Sequence, residues 1–95
     1  MSADITTREY ERIKLQKTEH AKEAMELMDI SDEQVKMVIN HGETTGEKLY
    51  QQEGERFLTK MRIEETTICV EYCPMEEKDL FKIHTAYAYK AKVKV

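Results

Sequence analysis

The chain has 95 residues, enough for one domain with a modest hydrophobic core and too few for a separate cofactor domain. Its hydrophobic fraction of 40% and charged fraction of 36% are typical of globular proteins, and three Gly with one Pro leave no linker segment, so we expect residues 1–95 to fold as a single domain. The net charge of −4 argues against a protein that coats nucleic acid through overall charge.

The sequence indicates a cytoplasmic location. No apolar run is long enough to cross a membrane, and the N-terminus lacks the basic and apolar segments of a signal peptide. Cys69 and Cys73, four residues apart on a predicted strand, would lie about 13 Å from each other, too far for a disulfide. Two reduced thiols agree with a reducing compartment.

The first 17 residues carry signals for both a helix and a strand. Thr6 followed by Glu9 offers a capping box, whereas Ile13 and Leu15 alternate with polar residues as in a strand. We expect a short helix and then a short edge strand. The alternative is one long helix over residues 7–28.

Residues 18–42 predict a pair of capped helices. Thr18 can cap the first, and Ser31 with Gln34 forms a capping box for the second. Gly42 predicts the C-terminal stop, with His41 as a cap favoured by the helix dipole. The predicted buried positions are Ala21, Ala24, Met25, Leu27 and Met28 in the first helix, and Val35, Val38 and Ile39 in the second.

Residues 46–90 alternate with the period of strands, over about 47–51, 55–64, 66–73 and 79–89. The predicted class is therefore α+β, with two main N-terminal helices packed on a three- to four-stranded antiparallel sheet. The side chains predicted to face the helices are Phe57, Thr59, Met61, Ile63, Ile68, Val70, Tyr72, Phe81, Ile83, Thr85 and Tyr87. The opposite face is polar and is predicted to carry Arg56, Lys60, Arg62, Cys69, Glu71, Cys73, Lys82 and His84.

Charge is unevenly divided between the two halves. Residues 1–45 carry ten acidic and six basic side chains, whereas residues 46–95 carry nine of each. From Leu80 onward Lys82, Lys90, Lys92 and Lys94 have no acid to offset them. We expect a solvated edge strand protected by lysines, and the same lysines could also bind an anion.

The pattern T-E-H-A at residues 18–21, I-S-D-E-Q-V at 30–35 and V-I-N-H-G-E at 38–43, followed by I-C-V-E-Y and F-K-I-H-T-A-Y, resembles a prokaryotic family of domains of unknown function, DUF4258. The resemblance covers residues 18 to about 88. That family resembles the barnase, colicin and RelE-like group of small toxin folds. The resemblance implies helices on one face of an antiparallel sheet whose other face can cut or bind RNA.

The chain departs from the family pattern in its first helix. Where that pattern has two arginines, this sequence has Ala24 and Met28, and His20 is what remains of the polar set. If those arginines serve RNA binding or catalysis in relatives, this chain has lost that capacity. The apolar Met28 would instead favour a contact with a protein partner.

Two functional hypotheses follow. The first is a divergent, non-catalytic member that binds RNA or a protein partner, antitoxin-like or a second copy, through the polar sheet face. The second is a metal-independent ribonuclease, which needs an acid, a base and cations for the phosphate. The candidate catalytic residues are His84, His20 and Glu71, and the candidate RNA or anion ligands are Lys60, Arg62, Lys82, Tyr87 and Tyr89.

We expect no cofactor and no metal. Cys69, Cys73 and His84 are of the types that bind zinc, but structural zinc normally uses cysteines two to four apart on a turn rather than along a strand. His20 also has a structural interpretation, as a side chain that fixes its helix on the sheet. Glu71 likewise has one, as the partner of Arg62 or Lys82 across the ladder.

Overall fold

A computed structural model describes residues 8–90. A short 3-10 helix (Arg8–Arg12) and strand β1 (Lys14–Lys17) precede helices α1 (Glu19–Met28) and α2 (Asp32–Thr45). Strands β2 (Lys48–Gln51), β3 (Arg56–Ile63), β4 (Thr66–Pro74) and β5 (Leu80–Lys90) follow. The short helix and strand before α1 match the preferred prediction, and the single helix over 7–28 is wrong. Thr6 of the predicted capping box lies outside the described residues.

The five strands form one mixed sheet in the order β1-β5-β4-β3-β2. β1 pairs in parallel with β5, and the other neighbours are antiparallel. The predicted class, a three- to four-stranded antiparallel sheet of RelE-like outline under two N-terminal helices, is therefore wrong. The sequence predicts the short edge strand β1 but not its pairing with β5, because a parallel partner far away in the chain leaves no hairpin signal in the sequence.

The position of β5 also corrects a prediction. β5 lies between β1 and β4, so the expectation that the lysine-bearing last strand is a sheet edge is wrong. β1 and β2 are the edges instead. Lys92 and Lys94 lie outside the described residues.

Helix α1 begins at a cap that also fixes it to the sheet. The Thr18 hydroxyl accepts a hydrogen bond from the Ala21 amide at 3.0 Å and donates to the Ile83 carbonyl of β5 at 3.1 Å. Asp29 ends the helix in the left-handed region, with φ at 60°. The capped start predicted at Thr18 is confirmed.

Helix α2 begins with the predicted capping box between Ser31 and Gln34. It does not end at Gly42, because the helix continues to Thr45 and Gly46 takes the left-handed cap at φ 81°. Gly42 is buried in the last turns, where a Cβ would lie 2.6 Å from Thr59 Oγ1 of β3. The residue predicted as a stop therefore permits close packing of α2 on the sheet.

One hydrophobic core lies between the helices and the sheet. Its fully buried members include Val35, Val38 and Ile39 of α2, and Val70 and Tyr72 of β4. Leu27 and Met28 at the end of α1, predicted as buried, are instead 84% and 44% exposed. The alternation predicted for β3 and β4 agrees with the contacts to this core.

A β-bulge in β5 corrects the faces predicted for its second half. Glu71 of β4 pairs with Thr85 and Tyr72 pairs with Ile83, which leaves His84 as the extra residue. The bulge shifts the alternation by one position, so Ala86 is buried and Tyr87 is 37% exposed. The prediction that Thr85 and Tyr87 face the helices is therefore wrong.

Candidate nucleic-acid interface

The sheet face opposite the helices carries most of the candidate residues, and we call it the open face. Helices α1 and α2 pack on the other face, which bears the core. The ladder register gives the members of the open face on β3 to β5 as Arg56, Leu58, Lys60, Arg62, Thr67, Cys69, Glu71, Cys73, Lys82, His84, Thr85, Tyr87 and Tyr89.

The open face is basic although the chain is acidic. On β3 to β5 it holds the cations Arg56, Lys60, Arg62 and Lys82 and the single carboxylate of Glu71. The whole chain has a net charge of −4. The fold therefore places a local excess of positive charge on one side of an acidic protein.

Two tyrosines and two cations form one end of this face, which we call the aromatic end. Lys60 is opposite Cys69, which in turn pairs with Tyr87. In the next row of the same face Arg62 is opposite Thr67, which in turn pairs with Tyr89. Tyr87 and Tyr89 are 37% and 47% exposed. Each row thus presents a cation about 10 Å, or two strand spacings, from an aromatic ring.

The cations of the aromatic end are available for a ligand. Within residues 8–90, no carboxylate forms an ion pair with Lys60 or Arg62. Arg62 is exposed, and its side chain donates from Nε to the Glu64 carbonyl at 3.0 Å. Two unneutralised cations about 10 Å from exposed rings are an arrangement that suits an anion that also carries flat rings.

The floor between Lys60 and Tyr87 is uncharged. Cys69 lies there with 4% of its surface exposed, and burial raises the pKa of its thiol. Burial also raises the pKa of the Tyr87 hydroxyl, and the neighbouring Cys69 adds to that shift. At neutral pH neither group carries the negative charge that would repel a phosphate.

The other end of the open face, which we call the histidine end, contains Arg56, Glu71, Cys73, Lys82 and His84. Arg56 Nη1 contacts Glu71 Oε1 at 2.9 Å, and Cys73 Sγ lies 3.4 Å from His84 Nε2. Lys82 pairs with Cys73 across the ladder. Glu71 therefore has Arg56 as its partner, and the predicted pairing with Arg62 or Lys82 is wrong.

The environment of the histidine end keeps the imidazole neutral. Burial lowers the pKa of His84, the positive charges of Arg56 and Lys82 lower it further, and Glu71 acts in the opposite direction. The ring is therefore uncharged at neutral pH. A neutral imidazole can accept a proton from a nearby group.

The structure brings together only part of the predicted catalytic set. His84 and Glu71 share the histidine end, whereas His20 is an exposed residue of α1, in the helix layer on the other side of the sheet. The row of Arg62 lies six residues along β4 from the row of Cys73, which is about 20 Å. His84 and Arg62 therefore cannot act on one phosphate.

Two residues of the histidine end did not enter the predicted site. The sequence places Arg56 on the polar face without a role, and it offers Cys73 only as a zinc-type ligand whose spacing argues against a metal site. Both roles depend on the strand register, because Arg56 reaches Glu71 diagonally across the β3–β4 ladder and the bulge brings His84 toward Cys73. Alternation within one strand gives the face of a residue but not its neighbour.

The part of the chain from Arg8 to Lys90 contains no group of three His, Cys, Asp or Glu side chains that could hold a metal ion. Over the same residues, no helix is both long and apolar enough to cross a membrane.

A family model described as "Domain of unknown function (DUF4258)" matches residues 18–88. The matched region starts at the Thr18 cap and ends in β5, so it includes both helices and strands β2 to β4 in full. Searches of curated proteins and of solved structures gave no match.

Proposed function

We propose that this chain, which belongs to the DUF4258 family, binds single-stranded RNA on its open face. Tyr87 and Tyr89 would stack bases, and Lys60 and Arg62 would hold phosphates. The observation that carries the proposal is the aromatic end itself: two neighbouring rows of the sheet each hold an exposed ring and, two strand spacings away, a cation that no carboxylate of residues 8–90 neutralises.

The spacing of the rings supports a strand of unpaired bases. Tyr87 and Tyr89 are two residues apart on one face of β5, so their Cα atoms are about 7 Å from each other. Aromatic residues on the face of a sheet stack successive unpaired bases in known RNA-binding modules, at about 1–3 kcal/mol per base. A duplex would hide the same bases from both rings.

The charge distribution supports RNA over a protein partner at this end. The fully buried parts of protein interfaces are depleted in charged residues, whereas Lys60 and Arg62 share the aromatic end with the two tyrosines. RNA phosphates can neutralise these cations, and such binding does not need the apolar, desolvated patch that a protein interface has. If the natural ligand of these cations is instead an acidic partner protein, antitoxin-like or otherwise, assays with RNA will give no complex.

A second candidate, a metal-independent endoribonuclease of the toxin type, is favoured by the histidine end. The neutral imidazole of His84 can act as a base or, once protonated, as an acid, and Arg56 and Lys82 supply positive charge near it. The histidine end begins about four residues along β4 from the aromatic end, so RNA bound at the aromatic end could extend to it. We propose a cytoplasmic location for either function, since Cys69 and Cys73 are both free thiols.

The binding proposal is tested by fluorescence anisotropy with an unstructured labelled RNA of about ten nucleotides, a length within the site sizes known for single-strand binders. Tyr87→Ala and Tyr89→Ala should each weaken binding about 5- to 100-fold, the equivalent of one lost base stack. Tyr50→Ala is the matched control, because Tyr50 is 51% exposed but lies on β2 against Phe57. Equal losses in all three variants, or no binding by the wild type, would overturn the proposal.

The ribonuclease candidate has its own assay. Wild-type protein is incubated with RNA in the presence of a chelator, beside His84→Ala and Glu71→Gln. The candidate requires cleavage by the wild type and its loss in His84→Ala while RNA binding persists. Intact RNA after incubation with a wild type that binds it would leave binding as the function.

A further inference from the structure

We propose that Cys73 is a reactive thiol that hydroperoxides oxidise to a sulfenic acid, with His84 Nε2 as the base that accepts the thiol proton. This modification site goes beyond RNA binding and does not depend on it. It rests on the geometry of the histidine end.

The first observation is the pairing of the two side chains. Cys73 Sγ lies 3.4 Å from His84 Nε2, within hydrogen-bond distance for sulfur. His84 is the extra residue of the β-bulge and has no partner in the ladder. Bulges commonly re-aim a side chain, and this one directs an imidazole toward a thiol on the neighbouring strand. A nucleophile beside a general base is the arrangement that activates cysteines.

The Cys73 sulfur is accessible to small molecules and lies in positively charged surroundings. Cys73 is partly exposed, so a small hydroperoxide can reach it. Lys82 is its neighbour across the ladder, and Arg56 acts electrostatically on His84. Partly exposed cysteines in such electropositive surroundings are the ones that react. The lowered pKa of His84 keeps the imidazole neutral at neutral pH, and in the tautomer with its proton on Nδ1 the Nε2 atom can accept the thiol proton.

Cys69 provides an internal contrast on the same strand. It is 4% exposed, and burial raises the pKa of its thiol. It stands four residues from Cys73, about 13 Å along β4, beyond the reach of a disulfide in the folded chain. In the folded chain the sulfenic acid at Cys73 therefore cannot condense with Cys69, and a disulfide would need a thiol from another molecule.

The proposed step balances without a further reagent. The Cys73 sulfur attacks one peroxide oxygen as its proton passes to His84 Nε2, and the oxygen–oxygen bond breaks. Cysteine loses two electrons and becomes the sulfenic acid. The departing hydroxide, or alkoxide from an organic hydroperoxide, takes the proton from His84 and leaves as water or an alcohol, which restores the neutral imidazole.

The test measures sulfenic acid at each cysteine in the full chain. The protein at pH 7 is treated with hydrogen peroxide and a sulfenic-acid trap, and each site is quantified by mass spectrometry, both folded and in urea. In the folded wild type Cys73 should be trapped faster than the same thiol in urea, although folding shields it. Faster reaction in urea would overturn the proposal.

The variants assign the base. His84→Gln keeps a polar side chain at the bulge but removes the basic nitrogen, and it should slow trapping at Cys73 at least about tenfold. Cys69→Ala should leave that rate unchanged, and Cys73→Ser should abolish the signal. Equal rates in His84→Gln and wild type, with both folded by circular dichroism, would contradict the role of His84. If His84→Gln fails to fold, the proposal is still tested by the comparison of trapping rates at Cys73 in the folded and urea-unfolded wild type.

Discussion

At the scale of single residues, Gly42 sets how closely α2 approaches the sheet. Gly→Ala in a helix normally stabilises by about 1 kcal/mol. Here the added Cβ would lie 2.6 Å from Thr59 Oγ1 and 2.9 Å from Thr59 Cβ, and neither atom can move freely because the hydroxyl donates to the Glu47 carbonyl. We expect Gly42→Ala to lower the free energy of unfolding by about 1–2 kcal/mol net of propensity.

Urea denaturation measures this effect. Glu26→Ala, at an exposed position of α1, is a control for helix propensity alone and should be near neutral. A Gly42→Ala variant more stable than the wild type would show that α2 can move away from β3 without loss of unfolding free energy.

Tyr72 makes a second residue-scale prediction. Its hydroxyl donates to Glu43 Oε2 at 2.6 Å, and Lys48 Nζ contacts the same oxygen at 2.8 Å, which joins β4, α2 and β2. We expect Tyr72→Phe to lose about 1–2 kcal/mol of stability because the hydrogen bond to a charged group is lost. Tyr50→Phe, which alters an exposed hydroxyl, should lose little in the same urea titration.

The same tyrosine predicts a dependence on alkaline pH. Burial and the hydrogen bond to Glu43 raise the pKa of Tyr72 in the folded state above its ordinary value of about 10. Above pH 10 the unfolded chain loses this proton while the folded chain keeps it, so stability falls as pH rises. The fall in unfolding free energy from pH 9 to 11 should be steeper for the wild type than for Tyr72→Phe. Parallel curves would contradict the assignment.

At the scale of elements, the two helix caps differ in what they hold. Among the described residues, the Ser31 side chain bonds within its own helix start, whereas the Thr18 hydroxyl also donates to the Ile83 carbonyl in the sheet. We expect Ser31→Ala to cost about 1 kcal/mol and Thr18→Ala about 2 kcal/mol, by urea denaturation. Hydrogen exchange should then show faster opening of α1 in Thr18→Ala than of α2 in Ser31→Ala. Equal costs would mean that the bond to β5 adds nothing.

The helices and most strands could be predicted because their signals are local. Capping boxes and alternation need only a few neighbouring residues, and they located α1, α2 and the hairpins within a few positions. The parallel pairing of β1 with β5 and the bulge could not be predicted in the same way. β1 has four residues and a partner more than sixty positions away, and nothing in F-K-I-H-T-A-Y indicates that His84 leaves the ladder.

The candidate site shows the same division. Periodicity placed Lys60, Arg62 and Glu71 on one face, since β3 and β4 are regular. It assigned Tyr87 to the wrong face, because one bulge reverses every later position of the strand. The exposure of Tyr87 and Tyr89, on which the proposed function depends, is thus a consequence of a single irregular residue.

At the scale of the whole molecule, the protein separates its charges by face. The open face is basic, and the helical half of the sequence holds the acidic excess. RNA should therefore bind weakly at high salt, and at low salt the charges should steer it to the open face. Lys60→Gln and Arg62→Gln should each reduce the slope of log affinity against log salt by about 0.7. Lys22→Gln on α1 should leave the slope unchanged. Equal slopes in all variants would show that neither cation contacts a phosphate.

Amide chemical-shift mapping during titration with unstructured RNA shows whether RNA lies on the open face. We expect the largest shifts in β3, β4 and β5 around Lys60, Cys69 and Tyr87, with small shifts along the exposed surfaces of α1 and α2. Shifts confined to the helices, or no shifts at saturating RNA, would contradict binding on the open face.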